Sequence, residues 1–181
     1  MADAFDTCLA FTLRAEGGYV DDPADPGGAT NMGITLATFR QWSDDAELGP
    51  AQVQDMTERT ARAIYRSLYW NPLRADALRA GVDLSVFDMG VNAGIWGSAR
   101  LLQRAIGFTG DEVDGCIGPE TLGAAATCDP RSLVNDLADR QAAYYRSLAE
   151  FPTFGAGWLN RTDARRRAAL AMIADSEPRK V

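Results

Sequence analysis

Between residues 17 and 33 the chain cannot run as a helix. Gly17, Gly18, Pro23, Pro26, Gly27, Gly28 and Gly33 stand there among Asp21, Asp22, Asp25 and Asn31. The prolines remove backbone donors, and the glycines favour turns over helical interiors. The rest of the chain must fold around that interruption. Before it, Phe5, Cys8, Leu9, Thr12 and Leu13 recur at intervals of three and four, which predicts an amphipathic helix over 3–16 with Asp3 as N-cap and Glu16 as its last residue. Gly17-Gly18 is then expected to supply the left-handed backbone that often ends a helix. Two short strands are expected near 18–20 and 31–35, joined by an ordered loop. From Thr35 onward the pattern is helical almost to the end, with candidate helices at 35–44, 57–69, 82–94, 96–106, 118–127, 129–150 and 161–175. Asp129-Pro130 is the clearest start signal, an N-cap followed by proline at the first helical position. The fold class is therefore α+β and predominantly helical, with a small β-hairpin after the first helix and a helical carboxyl-terminal lobe. The boundary between regions is placed at Asn92-Ala93-Gly94, giving 1–94 and 95–181 as two packed parts.

Chemistry is narrowed by what the chain lacks. Its 181 residues include no histidine, which excludes Ser-His-Asp and Cys-His catalysis, histidine-ligated zinc and an imidazole general base. Carboxyl groups are the natural proton carriers that remain. With 18 Lys+Arg against 25 Asp+Glu, the net charge of −7 argues against a nucleic-acid partner and against attraction to anionic membrane surfaces. No stretch approaches the ~20 apolar residues of a membrane span, and the acidic start of the chain carries no export signal, so synthesis in the cytoplasm is expected. Cys8, Cys116 and Cys128 form no C-x-x-C pair and are expected to be reduced and mostly buried. No metal or other cofactor is implied.

The densest constellation of reactive groups coincides with the interruption. Glu16 ends a helix, Asp25 follows nine positions later and Thr30 five beyond that. A carboxyl group at a helix carboxyl end faces the negative end of the macrodipole, and desolvation by Leu13 and Tyr19 acts in the same direction; both favour the protonated acid. Asp25, in a loop rich in free backbone N–H groups, is favoured as the anion. Two carboxyl groups driven apart in this way suit glycoside hydrolysis, in which one protonates the leaving oxygen while the other assists water or the developing oxocarbenium ion. Spacing alone equally allows a solvent-exposed glutamate followed by an ordinary Asp-Pro-Gly-Gly turn. A calcium loop fits poorly, because the acids at 21, 22 and 25 with glycine at 27 do not follow D-x-[DN]-x-[DN]-G.

The run Glu16-Gly17-Gly18-Tyr19 followed by Asp22-Pro23-Ala24-Asp25-Pro26-Gly27-Gly28-Ala29-Thr30-Asn31-Met32-Gly33-Ile34-Thr35 resembles the amino-terminal signature of glycoside hydrolase family 108. These are the N-acetylmuramidases of phage endolysins and bacterial secretion-activator proteins. The resemblance continues through Tyr69-Trp70, residues 87–94 and Leu102-Gln103. Asp114-Gly115-Cys116-Ile117-Gly118-Pro119-Glu120-Thr121-Leu122 and Gly157-Trp158-Leu159-Asn160-Arg161 are similar to the peptidoglycan-binding region that accompanies the family. What the resemblance implies is a lysozyme-like fold and hydrolysis of the β-1,4 bond between N-acetylmuramic acid and N-acetylglucosamine in peptidoglycan glycan strands. Glu16 falls on the family's catalytic glutamate, and Glu16, Asp25 and Thr30 resemble the Glu-Asp-Thr arrangement of phage-type lysozymes. Residue 21 is Asp where the family commonly has Asn, which adds negative charge beside the cleft.

Four further residues are candidates for substrate contact. Tyr19 and Trp70 have aromatic faces that suit sugar rings, although core packing is the simpler role for Trp70. Asp88 and Asn92, four apart, share a helix face in an otherwise apolar segment; they either touch acetamido and hydroxyl groups or form a buried hydrogen bond. Asp114-Gly115 through Gly118-Pro119 reads as a turn introducing a helix, and Arg165-Arg166-Arg167 as a solvated face. A lytic transglycosylase and a non-catalytic wall-binding scaffold are the competing functional readings. Action in the periplasm or cell wall implies passage through a holin or a secretion machinery.

Overall fold

A computed structural model of the chain describes residues 3–21 and 28–176. The fold divides into two compact units, Met1–Leu68 and Tyr69–Val181. In the first, α1 (Ala4–Ala15) buries Phe5, Cys8, Leu9 and Thr12 along one stripe, with the Asp3 carboxylate capping its start. Strands β1 (Thr30–Asn31) and β2 (Ile34–Thr35) pair antiparallel, Thr30 opposite Thr35, and Val20 bridges Thr30 on its other side. The segment expected to be one strand at 31–35 is thus a hairpin bent at Met32-Gly33, whose φ angles of 49° and 73° are both left-handed. Positive φ at both central residues is the geometry that matches the twist of a two-residue hairpin.

Helices α2 (Leu36–Ser43) and α4 (Glu58–Tyr65) start at Thr35 and Thr57, each threonine hydroxyl accepting from the N–H three residues on. Between them lies α3 (Pro50–Gln54), which the sequence pattern did not resolve. Asn31 fixes α3 to the hairpin: its side-chain amide donates to the Val53 and Gln54 carbonyls at 3.0 and 3.1 Å. The helix expected to run to 69 stops at Tyr65, and one turn of π-helix, Arg66–Trp70, carries the chain into the second unit.

The second unit is built around α5 (Val82–Ala93), in which every residue from Val82 to Gly90 is buried. Helices α6 (Ile95–Ala105), α8 (Pro130–Arg146) and α9 (Phe151–Ser176) pack on it. Helix α7 (Pro119–Thr127) begins with proline at its first position, as expected. Gly81 has no alternative at the start of α5, because its φ is +84° and a Cβ there would lie 2.5 Å from the Ala169 carbonyl oxygen. Two boundaries differ from expectation: α8 ends at Arg146 instead of 150, and α9 starts at Phe151, ten residues before the predicted 161. Pro152 is accommodated because it falls in the first turn, where its missing N–H has no intrahelical partner to lose.

Three further expectations are corrected. Gly17 and Gly18 are not left-handed; Glu16 itself leaves the helix in extended backbone at φ −86°, ψ 142°. Of the cysteines only Cys8 is buried, while Cys116 is exposed and Cys128 half-buried. The run 165–167 is not a uniform solvated face. Arg165 is 1% exposed, whereas Arg166 bridges Asp139 and Asp163, and Arg167 pairs with Asp163.

Candidate active site

Glu16 is placed by three segments distant in sequence. Helix α1 is held to α4 at its start: Arg62 and Arg66 pair with Asp6 at 2.6 Å and Asp3 at 2.9 Å, and both guanidinium groups lie over the Phe5 ring. The Arg66 guanidinium holds the Asp3 carboxyl below its ordinary range. One helix length on, the extended Glu16 turns its half-buried side chain toward the hairpin. Buried Tyr65, at the end of α4, reaches the same point, its hydroxyl donating to the Met32 carbonyl at 2.9 Å.

Gly33 is where these groups converge. A Cβ on Gly33 would lie 2.6 Å from Tyr65 Oη and 2.8 Å from Glu16 Oε2. The hairpin turn therefore needs glycine at this position twice over, for its left-handed backbone and for the volume that Glu16 and Tyr65 occupy. Thr30 sits on the same hairpin, half-buried, its hydroxyl donating to the Gly28 carbonyl at 3.2 Å. Tyr19 is half-buried and donates to exposed Asp21 at 3.3 Å; desolvation first, and then the Asp21 charge, push its phenol above the ordinary value. Asp25 lies outside the described residues. The structure thus brings Glu16 onto the hairpin that carries Thr30. Sequence reasoning missed Gly33 and Tyr65 as the groups that seat it. A tyrosine on the buried face of a helix was the available signal, since its hydroxyl requires a partner.

The other proposed contacts divide sharply. Trp70 is 0% exposed and meets Phe87 edge-on at 5.4 Å, so it is a core residue with no face for a sugar. Asp88, also 0% exposed, is enclosed by Arg161 at 2.8 Å and Arg165 at 3.6 Å. Its expected role in sugar contact is corrected to a buried ion pair between α5 and α9. Asn92 is exposed and donates to the Asp88 backbone carbonyl at 2.7 Å, so the two side chains do not act together. Burial pulls the Arg165 guanidinium below its usual value, with Asp88 opposing. Asp83, buried at the start of α5, is pushed up to about 6 by desolvation, with the Leu84 and Gly81 N–H groups pulling the other way.

The 114–121 segment is ordered from within. Gln103, 1% exposed, donates to Asp114 at 2.6 Å and to the Cys116 carbonyl at 3.0 Å, and accepts from the Gly115 N–H at 2.9 Å. The turn and cap expected there are present, and Gln103 is the residue that fixes them. Among the described residues no group of three or more Cys, Asp or Glu side chains is arranged to hold a metal ion.

Among the described residues, a first helix followed by a small antiparallel hairpin within an otherwise helical arrangement makes a lysozyme-like α+β fold. The sequence matches the family model Glycosyl hydrolase 108 over residues 9–94 and the model described as Predicted Peptidoglycan domain over 97–163. The solved structure of Brucella abortus SagA is similar at 40% identity, with a TM-score of 0.84 over 95% of this chain and 97% of that chain. The chain belongs to the glycoside hydrolase 108 family and carries its peptidoglycan-binding region; it is a peptidoglycan-related glycoside hydrolase. No curated protein matches its sequence.

Proposed function

We propose that this protein is an N-acetylmuramidase of the lysozyme type, an endolysin-like enzyme that cleaves the β-1,4 bond between N-acetylmuramic acid and N-acetylglucosamine. The observation that supports the reading best is the seating of Glu16 against Gly33 and Tyr65 on the Thr30 hairpin. A carboxyl group held there is fixed at a surface that a glycan strand can reach, where the backbone leaves the first helix. In this reading Glu16 donates a proton to the glycosidic oxygen as the bond to the anomeric carbon breaks. Asp25 and Thr30 position a water on the opposite face of the sugar, Asp25 taking its proton, so the anomeric configuration inverts. Tyr19 lines the cleft beside the acid, and Asn92 offers an exposed amide to acetamido or hydroxyl groups. Peptidoglycan lies outside the cytoplasmic membrane, so we place the enzyme's action in the periplasm or cell wall, reached through a holin or a secretion machinery.

Zymography on embedded cell walls tests the acid. The parent protein clears them and a folded Glu16→Gln variant does not; clearing by the variant at the parental rate overturns the assignment. Mass spectrometry of the products is expected to show reducing muramic ends, and anhydromuramyl ends would identify a transglycosylase. Proton NMR of the first-formed anomer decides inversion against retention.

A further inference from the structure

Helices α6 and α8 enclose a groove of about 430 Å³, large enough for a small ligand. Its charged groups are all cationic: Arg100 and Arg104, one turn apart on α6, face Arg140 on α8. Its floor is apolar, from Met89, Leu101 and the exposed ring of Tyr144. The depression beside it, rimmed by Phe108 and Val113, shares Arg104 and Arg140, so the basic lining continues past the groove's end. Arg140 is tied to Asp136 of its own helix at 2.7 Å. Arg100 and Arg104 make no close ion pair among the described residues, although the Arg100 charge adds to the Gln103 and Cys116 hydrogen bonds in holding the Asp114 carboxyl below its ordinary range. Most other arginines in this unit's helices are spent on carboxylates, Arg161 and Arg165 on Asp88, and Arg166 and Arg167 on Asp163. Two guanidinium groups without a close ion pair above an apolar floor are what an anionic, partly apolar ligand requires.

We infer that this groove binds the peptide stems of peptidoglycan through their free carboxylates, so that the second unit recognises the stem peptide in preference to the glycan. A guanidinium fork matches a carboxylate with two parallel hydrogen bonds. Arginines a helical turn apart have Cβ atoms about 5–6 Å from each other, so their forks can engage carboxylates on neighbouring residues of a short peptide. The Met89, Leu101 and Tyr144 floor takes the alkyl portions between them. A phosphate polymer would use the cations but has little to place on that floor. The inference rests on peptidoglycan being the substrate, and is independent of which residue is the acid.

Calorimetric titration of the full chain carrying Glu16→Gln tests it, with a disaccharide-tetrapeptide, the same compound with its peptide carboxylates amidated, the peptide-free disaccharide and a glycerol-phosphate oligomer as probes. The disaccharide-tetrapeptide is expected to bind at least tenfold more tightly than the amidated form or the bare disaccharide, and Arg100→Gln/Arg104→Gln to abolish that difference. Equal affinity for the amidated and free-acid forms overturns the inference without the arginine substitutions, so a misfolded double variant cannot rescue it. Preferential binding of the glycerol-phosphate oligomer overturns it in favour of a wall polymer. Failure of Glu16→Gln to stop wall clearing would instead count against the catalytic proposal and leave these titrations unaffected.

Discussion

Replacing Gly33 by alanine adds one methyl group where the fold has no room for it. At φ +73° an L-residue gives up about 1–2 kcal/mol relative to glycine. The new Cβ would sit 2.6 Å from Tyr65 Oη and 2.8 Å from Glu16 Oε2. Ordinary carbon–oxygen contact needs about 3.4 Å, so each oxygen must retreat by roughly 0.6–0.8 Å. Tyr65 is 1% exposed and tied to Met32, which leaves Glu16, half-buried at a chain bend, as the group that yields. Overpacking of this kind costs about 1–3 kcal/mol, for a total near 2–5 kcal/mol in unfolding free energy. A misplacement approaching 1 Å in a reacting group lowers turnover by up to about 100-fold. Gly33→Ala should therefore lower kcat on walls by roughly 10- to 100-fold with little change in KM, assayed by turbidity loss well below its melting temperature. Gly18→Ala is the control, two residues from Glu16 but with ordinary φ and nothing within 4 Å of its Cβ. It should be neutral, or stabilising by about 0.4–1 kcal/mol. Parental turnover in a folded Gly33→Ala protein, or equal damage from Gly18→Ala, would refute the claim that this turn seats the acid.

Asp83 gives a pH signature in stability. Burial pushes its carboxyl up to about 6 in the fold from the ordinary 3.8, so between those pH values the folded chain holds the extra proton. Its contribution is complete below pH 3.8 and is lost as pH rises through 6, by about 3 kcal/mol in total. Asp83→Asn keeps an oxygen acceptor for the Gly81 and Leu84 N–H groups; urea unfolding should show the parent losing stability relative to the variant from pH 4 to 7. Asp88→Asn leaves Arg165 buried with only a neutral neighbour and should cost about 3–5 kcal/mol, with glycan affinity of the folded fraction unchanged in titration. Gln103→Ala strips the Gly115 N–H and Cys116 carbonyl of their shared partner; it should cost about 1–3 kcal/mol and speed amide exchange across 114–118.

What the sequence made legible was local. Thr35, Asp129-Pro130 and Gly118-Pro119 announce helix starts through chemistry contained within a few residues, and the structure places helices α2, α8 and α7 there. The hairpin turn was obscured because Met32, a residue that seldom takes positive φ, holds the first left-handed position. The start of α9 was hidden by Pro152, Gly155 and Gly157, which lower helix propensity but are overridden by packing on α8 and α5. Arg165 was illegible for another reason: its burial depends on Asp88, 77 positions away, and nothing in an Arg-Arg-Arg run distinguishes the residue that faces inward. The candidate acid lay between these cases. Glu16, Asp25 and Thr30 were legible as a motif, but Tyr65 and the volume left by Gly33 are tertiary facts.

In a chain without histidine, acids must serve both the fold and the chemistry, and the structure separates the two uses. Asp83 is enclosed and accepts two backbone N–H groups, Asp88 is enclosed between two guanidinium groups, and Asp114 is held by Gln103 and the Cys116 N–H. Each is oriented by donors that a helix start, a helix pair or a turn needs satisfied, and substrate cannot reach the two that are buried. Glu16 differs in its exposure and its place in the fold. It is half-exposed, lies where the backbone leaves a helix, and packs against a glycine turn beside the Tyr65 hydroxyl. A half-exposed carboxyl at a chain bend can be reached by a substrate oxygen, whereas the enclosed carboxyls of Asp83 and Asp88 cannot. Accessibility, added to its place in a motif, is the physical ground for proposing Glu16 over the buried acids of the fold.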